Sequence, residues 1–498
     1  MHVFVRQIYT RITTFWSHTA KTQLQCSTFN FASQRSLLQS ASARNQTTLC
    51  IPLASTTLAT SGPPSSTQPF IMWPLTNNPT TCMKPGKGPF HVACSDIMCD
   101  HTIDGSFCRL FYPTNSPAQQ LDKSLYTTWL PSKDYARGYA KFIGFDVSAP
   151  VASMALSFLL GIDDYKVPAI WNAPLATEMK DKMPLIIFSH GLGACRTAYS
   201  STCTELASRG FMVAAVEHRD RSACATYVFK EVHHEEDEAS EGARAGMVQD
   251  WIPHNFAKPN EDFELRNNQV TQRAEECTLA LNLMEKLNKG EEIINAMNNE
   301  LNTAMFKDKF DMDKVAIAGH SFGGATSLVS LVNDDRFKFG VIFDAWLYPI
   351  ERSMYPSITK PLLFINTETF HWQGNIARMH RMVDDFEKPT DDRRVITILG
   401  TCHQNQSDFS LLVSSTLGKL LKTRGKLDPH IAMEINNGAA VAFICKQFGL
   451  PFEEQLESYL NGENKDVMVG TNVKLDVNYK KSGEKKQQET PEKSQANL

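Results

Sequence analysis

Short apolar runs recur through the middle of the chain, and segments with a helical pattern separate them. The runs cover residues 184–189, 211–216, 314–318, 339–343, 361–365 and 395–399. A strand that is apolar at every position is buried on both faces, which is typical of a parallel sheet covered by helices. The alternation therefore predicts an α/β domain with a mainly parallel central sheet and helices on both of its faces.

One predicted strand leads into a glycine-rich turn that contains a candidate nucleophile. The apolar residues 315–318 precede Gly319-His320-Ser321-Phe322-Gly323, and a helical pattern begins at 325–331. In this context a G-x-S-x-G serine is lifted clear of the backbone, and the helix N-terminus favours developing negative charge. The glycines allow the strand and the helix to approach closely. The pattern predicts that Ser321 is a nucleophile.

A serine nucleophile needs a histidine base and an acid that orients the base. In the α/β-hydrolase arrangement the order along the chain is serine, acid, histidine, each in a loop after a strand. Asp344 directly follows the run 339–343, the first one after the serine. We therefore predict Asp344 as the acid, and Glu368, which follows the next run, is the alternative.

Four histidines follow the predicted acid, and one of them has the position expected of the base. They are His371, His380, His403 and His430. His403 comes after the last run, 395–399, and the loop after the last strand is the usual site of this base. We predict His403 as the base. His371 is the competitor, although it shares its region with the candidate acids.

The loop after the first apolar run offers backbone amides for an oxyanion hole. The run 184–189 continues directly into His190-Gly191-Leu192-Gly193. An oxyanion hole of this type takes one N–H from the residue after the nucleophile and one from such a loop. We expect the donors to be the amides of Phe322 and Leu192.

Taken together, these segments resemble one family, the platelet-activating factor acetylhydrolases, from about residue 72 to about residue 470. The resemblance rests on residues 188–194, 217–223, 319–326 and 344–346, which read FSHGLGA, EHRDRSA, GHSFGGAT and DAW. It implies an α/β-hydrolase fold with Ser321, Asp344 and His403 as the catalytic triad. It also implies hydrolysis of the sn-2 acetyl ester, or of short or oxidised acyl esters, of phospholipids, without calcium, another metal or a cofactor.

The chain departs from the family pattern in two respects. Intracellular members begin with a myristoylation signal, which needs glycine after the initiator methionine, whereas His2 stands here. The secretory signal of the extracellular members is not found either. In addition, Cys195 follows Ala194 where the family pattern has phenylalanine, and we expect this to alter the shape of the pocket without changing the mechanism.

Composition and charge narrow the possible functions further. The formal charge of −4 on 498 residues does not indicate nucleic-acid binding. The 12 cysteines are scattered without paired C-x-x-C spacing, so we expect free thiols and a reducing compartment. The acidic segment 233–238 lacks a metal-ligand spacing and is expected to be a solvated loop. Residues 217–221 are expected to form a structural network of ion pairs.

The two ends of the chain differ in composition from its middle. Residues 1–75 contain no Asp or Glu and are rich in Ser, Thr and scattered Arg. This composition predicts either a disordered extension or a targeting segment. The catalytic domain is predicted at 76–465, and the polar residues 466–498 are expected to be a disordered tail.

A phospholipid substrate requires contact with a membrane or a lipid particle. No apolar run reaches the roughly 18 residues of a spanning helix, so we expect an interfacial contact. The candidates are the amphipathic stretch 151–160, with Phe158 and Leu159, and the stretch 409–421; ordinary packing on the core is the alternative. We expect a cytoplasmic protein that binds membranes peripherally, with mitochondrial targeting through 1–75 as the alternative.

Two other functions are compatible with the same fold. A general carboxylesterase, similar to dienelactone hydrolases, would use the same triad without lipid specificity. A catalytically silent lipid-binding protein would keep the fold alone, and the presence of Ser321, Asp344 and His403 argues against it.

Overall fold

The middle of the chain forms one sheet whose central strands run parallel. The computed structural model describes residues 82–115, 123–144, 164–176, 181–231, 247–257, 262–383, 392–413 and 423–475, with residues 385, 386, 388, 390 and 418. All of these belong to the unit Pro74–Leu498.

The described strands, in chain order, are β1 (His91–Cys99), β2 (Ser106–Thr114), β3 (Tyr126–Thr128), β4 (Lys166–Trp171), β5 (Met183–Ser189), β6 (Met212–Val216), β7 (Ala225–Glu231), β8 (Met247–Pro253), β9 (Phe310–His320), β10 (Gly340–Phe343), β11 (Leu362–Thr367), β12 (Arg393–Ile398) and β13 (Val467–Val469). The main sheet has the order β13-β12-β11-β10-β9-β5-β6-β2-β1-β4-β3, and β7 pairs with β8 separately. The six strands from β12 to β6 in this order run parallel to one another, whereas β13 pairs antiparallel with β12 and β2 pairs antiparallel with β6.

Helices cover both faces of this sheet. The described α-helices are α1 (Lys133–Phe142), α2 (Ser200–Ser208), α3 (Phe263–Lys289), α4 (Phe322–Asn333), α5 (Gln373–Met379), α6 (Phe409–Leu412), α7 (Pro429–Phe448) and α8 (Ser458–Asn461). Short 3-10 helices occur at Lys123–Leu125, Thr303–Phe306, Arg352–Ser357, His403–Gln406 and Glu454–Glu457. The expected mainly parallel α/β architecture is confirmed.

Two apolar cores lie on opposite faces of the sheet. Along β5, Ile186 and Phe188 belong to one core, and Leu185 and Ile187 belong to the other. Successive side chains of a strand point to opposite faces, so the uninterrupted apolar run of β5 serves both cores. This burial explains why the central strands lack the alternation of apolar and polar residues seen in half-exposed strands.

The sequence pattern located the central strands but missed three peripheral features. The long β1, which pairs antiparallel with β2 along its whole length, was not expected. Neither was the β7–β8 hairpin. The third feature is β13, which lies beyond the predicted boundary at 465 and pairs with β12 at the edge of the sheet. The folded unit therefore extends into the segment that was expected to be a tail.

Several predictions fall on residues that the structure does not describe. These are the extension 1–75, the acidic loop 233–238, the stretch 151–160 with Phe158 and Leu159, and the tail beyond 475. For 409–421, only residues 409–413 and 418 are described, and there Leu412 and Val413 are buried in the core. Within the described ranges, no helix combines the length and the apolar character needed to cross a membrane.

Candidate active site

Ser321 lies in a strained turn between β9 and α4. Its backbone has φ 58° and ψ −114°, a conformation that is unfavourable for a residue with a Cβ and persists only when the surroundings impose it. Hydrogen bonds on both sides do so: the Ser321 N–H donates to Phe343 O at 2.8 Å, and Trp346 N–H donates to Ser321 O at 3.0 Å. The turn is thus locked to the loop that follows β10.

Two glycines make this turn sterically possible. A Cβ on Gly319 would lie 2.2 Å from the carbonyl oxygen of Gly323, and a Cβ on Gly323 would lie 2.0 Å from that of Ser189. Strand, turn and helix therefore touch through their backbones, as the motif predicted.

Replacing Gly323 with alanine is expected to lower the free energy of unfolding by about 3 kcal/mol or more, because the new methyl group meets the backbone of β5. Urea unfolding of the purified variant measures this loss. Gly449→Ala is the matched control, since Gly449 has φ 65° but a Cβ added there would have no atom within 4 Å, and should cost only about 1 kcal/mol. Equal losses in the two variants would contradict the steric argument.

Asp344 and His403 form a buried pair beside this turn. Asp344 directly follows β10, and its Oδ2 lies 2.9 Å from His403 Nδ1. Thr367 donates its N–H to Oδ1 at 2.6 Å and its hydroxyl to Oδ2 at 2.5 Å. Burial alone would raise the pKa of Asp344, but the interactions of the carboxylate with His371 and His403 outweigh it and hold the pKa well below its ordinary value. The carboxylate is therefore ionised, so His403 carries its proton on Nδ1 and leaves Nε2 able to accept one.

Aromatic rings fix the plane of the His403 imidazole. Phe370 stacks on it with ring centroids 3.8 Å apart and an angle of 14°, and the His320 ring lies 4.3 Å away on a tilted plane. Burial lowers the pKa of His320 well below its ordinary value, so this neighbour is neutral. Neither Phe370 nor His320 was predicted to be part of the site.

The two competing candidates occupy different places. Glu368 accepts a hydrogen bond from the Gly400 N–H and so holds the loop that leads to His403. His371 lies on the opposite oxygen of the predicted acid, with Nε2 3.1 Å from Asp344 Oδ1. The structure thus brings both candidate histidines to Asp344, whereas Glu368 binds the backbone of the loop that precedes His403.

The loop after β5 is held with its amides close to the turn. The Gly191 N–H donates to the hydroxyl of Tyr199 at 3.1 Å, and the Gly193 N–H donates to Ser222 O at 2.7 Å. The Leu192 amide lies between these two and is the remaining candidate in this loop to donate a hydrogen bond to an oxyanion. Phe322 begins α4, where helix amides have no partner within the helix.

Comparison with known proteins places this site in a family. The sequence model of "Platelet-activating factor acetylhydrolase, isoform II" matches residues 75–467. The chain belongs to the platelet-activating factor acetylhydrolase family. It is 40% identical over 392 residues to platelet-activating factor acetylhydrolase of Canis lupus familiaris. The matched region covers 78% of this chain and 83% of that protein. The Gallus gallus protein of the same name is 39% identical over 393 residues, covering 78% and 89%.

A more distant relative and a solved structure are also similar to this chain. A putative phospholipase A2 of Schizosaccharomyces pombe is 25% identical over 441 residues, covering 77% of this chain and 92% of that protein. A solved structure of a ferulic acid esterase from Streptomyces cinnamoneus superimposes with a TM-score of 0.51 at 17% identity, covering 77% of this chain and 97% of the esterase. At that identity the likeness shows the fold alone, which is the α/β-hydrolase fold.

Behind the site, this acetylhydrolase family member has a buried polar network. Arg196 pairs with Glu217 at 3.3 Å, and Arg273 pairs with Asp220 at 3.2 Å. The ion-pair interpretation of residues 217–221 is confirmed for these two acids. Arg273 also donates to His190 O at 2.8 Å, which connects the network to the loop after β5.

The same network contains a second serine–histidine–carboxylate arrangement. Ser189 Oγ lies 2.8 Å from His218 Nε2, and His218 Nδ1 lies 2.6 Å from Glu276 Oε2. The Ser189 and His218 side chains are fully buried, so no ester can reach this serine. We interpret the arrangement as a structural one, which holds the ends of β5 and β6 together and against α3. The sequence pattern gave no sign of it, because Glu276 comes from the middle of α3.

Asp408 connects the His403 turn to α2 in a similar way. Its carboxylate accepts hydrogen bonds from Trp129 Nε1 at 2.9 Å and from the Ser200 and Ser201 amides at 2.7 and 3.1 Å. Burial raises the pKa of Asp408 to about 7, and its oxygens cap the N-terminus of α2 by accepting these two amide hydrogen bonds. This contact fixes the segment after His403 against the helix that follows the oxyanion loop.

The donor atoms of the site could in principle ligate a metal ion. Among the described residues, His320, Asp344 and His403 have possible ligand atoms within 4.8 Å of one another. Both carboxylate oxygens already accept hydrogen bonds from Thr367, and His320 Nδ1 lies 2.8 Å from the Tyr199 hydroxyl. The Asp344 oxygens and His320 Nδ1 therefore already have hydrogen-bond partners, whereas the buried His320 Nε2 makes no hydrogen bond with a described residue. All ten described cysteines are free thiols, and Cys195 is buried with its Sγ 3.1 Å from the Tyr139 hydroxyl.

Proposed function

We propose that the chain is a serine esterase that removes the sn-2 acetyl group, or a short or oxidised acyl group, from phospholipids of the platelet-activating factor type. The observation that carries this proposal is the Asp344–His403 pair beside the strained Ser321 turn, in a member of this family. The names of the relatives supply the substrate class. The products are a lysophospholipid and a free acid.

The reaction begins with attack by Ser321 on the acyl carbonyl. His403 Nε2 takes the hydroxyl proton as the Ser321 Oγ–carbon bond forms, and Asp344 stabilises the resulting imidazolium through Nδ1–H. The carbonyl oxygen becomes an oxyanion that accepts hydrogen bonds from the Leu192 and Phe322 amides. The N-terminus of α4 adds a favourable dipole at that position.

The tetrahedral intermediate then collapses to an acyl-enzyme. The bond between the acyl carbon and the glycerol oxygen breaks, and His403 gives its proton to the departing lysophospholipid oxygen. A water molecule, deprotonated by His403, attacks the acyl-enzyme and releases the acid with regeneration of Ser321. Each step uses side chains and amides of the chain, so we propose that turnover persists when calcium is chelated.

Product analysis with a panel of phospholipids that differ only in the sn-2 chain tests the substrate class. We expect rapid release of acetate from an acetylated ether phospholipid and slow hydrolysis of long, unoxidised sn-2 chains. A soluble nitrophenyl acetate serves as the reference substrate. Turnover of the soluble ester without turnover of any phospholipid would overturn the lipid assignment and favour a general carboxylesterase.

Fluorophosphonate labelling distinguishes an enzyme from a silent lipid-binding protein. An activated serine reacts covalently with the probe, and we expect a single adduct on Ser321 in the peptide map. Absence of that adduct, together with vesicle binding, would overturn the esterase proposal in favour of the silent protein.

We further propose that the enzyme acts in the cytoplasm as a peripheral membrane protein that contacts lipid through the stretch 151–160. The support is the amphipathic pattern around Phe158 and Leu159. Changing both residues to serine should reduce co-sedimentation with phospholipid vesicles and leave soluble-ester turnover intact. Ile294→Ser, at a described side chain that is 64% exposed, is the matched control. Unchanged sedimentation excludes this contact, and loss of turnover as well would assign the residues to the core.

Imaging the full chain against a variant lacking residues 1–75 tests mitochondrial targeting.

A further inference from the structure

A second histidine lies on the carboxylate of the proposed triad. We infer that His371 is a positioning residue for the reaction: it holds the Asp344 carboxylate in the plane in which Oδ2 faces His403. The inference rests on the proposed function, since it concerns the rate of the same acyl transfer. It does not make His371 a catalytic residue, because the side chain acts only through Asp344.

The hydrogen bonds of Asn375 determine which nitrogen of His371 carries the proton. The Leu347 N–H donates to Asn375 Oδ1 at 3.0 Å, so Nδ2 is the amide group that lies 2.8 Å from Ala345 O and 2.9 Å from His371 Nδ1. An NH₂ group can only donate, so Nδ1 of His371 is an acceptor. The neutral ring therefore carries its proton on Nε2.

That Nε2–H group faces Asp344. Nε2 is 3.1 Å from Asp344 Oδ1, and the side chains of both residues are at most 1% exposed. Nε2 makes no well-aligned hydrogen bond with any described residue, so its interaction with the carboxylate is mainly electrostatic. In a buried site such an interaction is weakly screened.

The donors around Asp344 are distributed evenly over its two oxygens. Oδ1 receives the Thr367 N–H and faces His371, whereas Oδ2 receives the Thr367 hydroxyl and His403 Nδ1–H. Rotation of the carboxylate would break contacts on both sides. His371 thus opposes the rotation that would turn Oδ2 away from the base.

This geometry also answers the question left open by the sequence, which offered His371 as an alternative base. Both nitrogens of His371 are engaged, one by Asn375 and one with Asp344. Only one nitrogen of His403 faces the carboxylate. His371 therefore supports the base and does not replace it.

Two substitutions separate the effect of the His371 N–H donor from the effect of its ring. His371→Phe keeps a ring against Phe370, whose centroid lies 5.0 Å away, but removes the N–H. His371→Gln removes the ring but can place an amide N–H near the former Nε2. We expect His371→Phe to lower kcat for the soluble acetate ester by about 10- to 100-fold with little change in KM, because misplaced catalytic groups cost about that much. His371→Gln should restore kcat to within about threefold of the parent enzyme.

His380→Leu is the matched control, since the His380 ring stacks on Phe386 and not on the Asp344 side chain. Its kcat should equal that of the parent, and thermal melting of all variants records their stability. Parent-like kcat in His371→Phe, or a tenfold or larger loss in His371→Gln, would overturn the inference. If His371→Phe does not fold, the kcat of His371→Gln decides alone. Failure of the proposed function is distinguishable. If the serine-esterase chemistry fails, the parent enzyme does not hydrolyse the soluble ester, and if only the lipid assignment fails, the soluble-ester kinetics of these variants are unaffected.

Discussion

Ser321→Ala is expected to abolish ester hydrolysis while leaving the fold intact. Removing the nucleophile of a serine hydrolase lowers kcat by about 10⁶-fold, because alanine has no hydroxyl oxygen that can attack the acyl carbon. Alanine keeps the Cβ, so the strained backbone at φ 58° is neither relieved nor worsened. Turnover of the acetylated phospholipid and of the soluble ester should fall together, with an unchanged urea midpoint.

Ser189→Ala is the control that this fold provides for the first prediction. Ser189 stands in the other serine–histidine–carboxylate arrangement, at 2.8 Å from His218. Its loss leaves a buried nitrogen without a partner and should cost about 1–3 kcal/mol of stability, but the variant should still react with fluorophosphonate. Turnover retained by Ser321→Ala, or labelling lost only in Ser189→Ala, would refute the assignment of the nucleophile.

Asp344→Asn is expected to lower kcat by about 10⁴-fold at neutral pH, the size of effect caused by a wrong histidine tautomer. The Thr367 N–H requires an acceptor at Oδ1, so the asparagine NH₂ group takes the position of Oδ2 and points at His403 Nδ1. That nitrogen must then accept, which moves the proton to Nε2. The base is then protonated on the side that should receive the proton of Ser321.

Structure determination and kinetics of this variant provide the check. The backbone should superimpose on the parent, and fluorophosphonate labelling should slow in proportion to kcat. Glu368→Gln is the control, since Glu368 was the alternative acid and bonds to the Gly400 N–H. A larger loss in Glu368→Gln than in Asp344→Asn would reverse the assignment of the acid.

The sequence predicts the parts of this site that depend on local chain geometry. A strand, a glycine turn and a helix in direct succession must place Ser321 at the edge of the sheet. The parallel order likewise requires Asp344 and His403 to emerge at that edge after β10 and β12. These inferences need only the strand–turn pattern and the connection rules of α/β folds.

The remaining features depend on contacts that no local pattern records. His371 meets Asp344 because Asn375, one helical turn later, turns its ring inward. Phe370, in the loop after β11, and His320, at the end of β9, lie on either side of His403. Glu276 contacts His218 from the middle of the long helix α3. Such contacts are set by packing between distant segments, and residue type alone does not distinguish them from ordinary core or surface positions.

The Asp408 contact has a consequence for how this enzyme acquires its activity during folding. Trp129 and Asp408 are separated by 279 positions in the chain, and Ser200 and Asp408 by 208. Closing such long loops is entropically costly and slow, so folds rich in distant contacts reach their native state late. The predicted base, His403, lies close to this contact, in the 3-10 helix that follows the last parallel strand of the chain. Polypeptides still emerging from the ribosome, or released without about the last hundred residues, would contain Ser321 but neither His403 nor the core residues of α7.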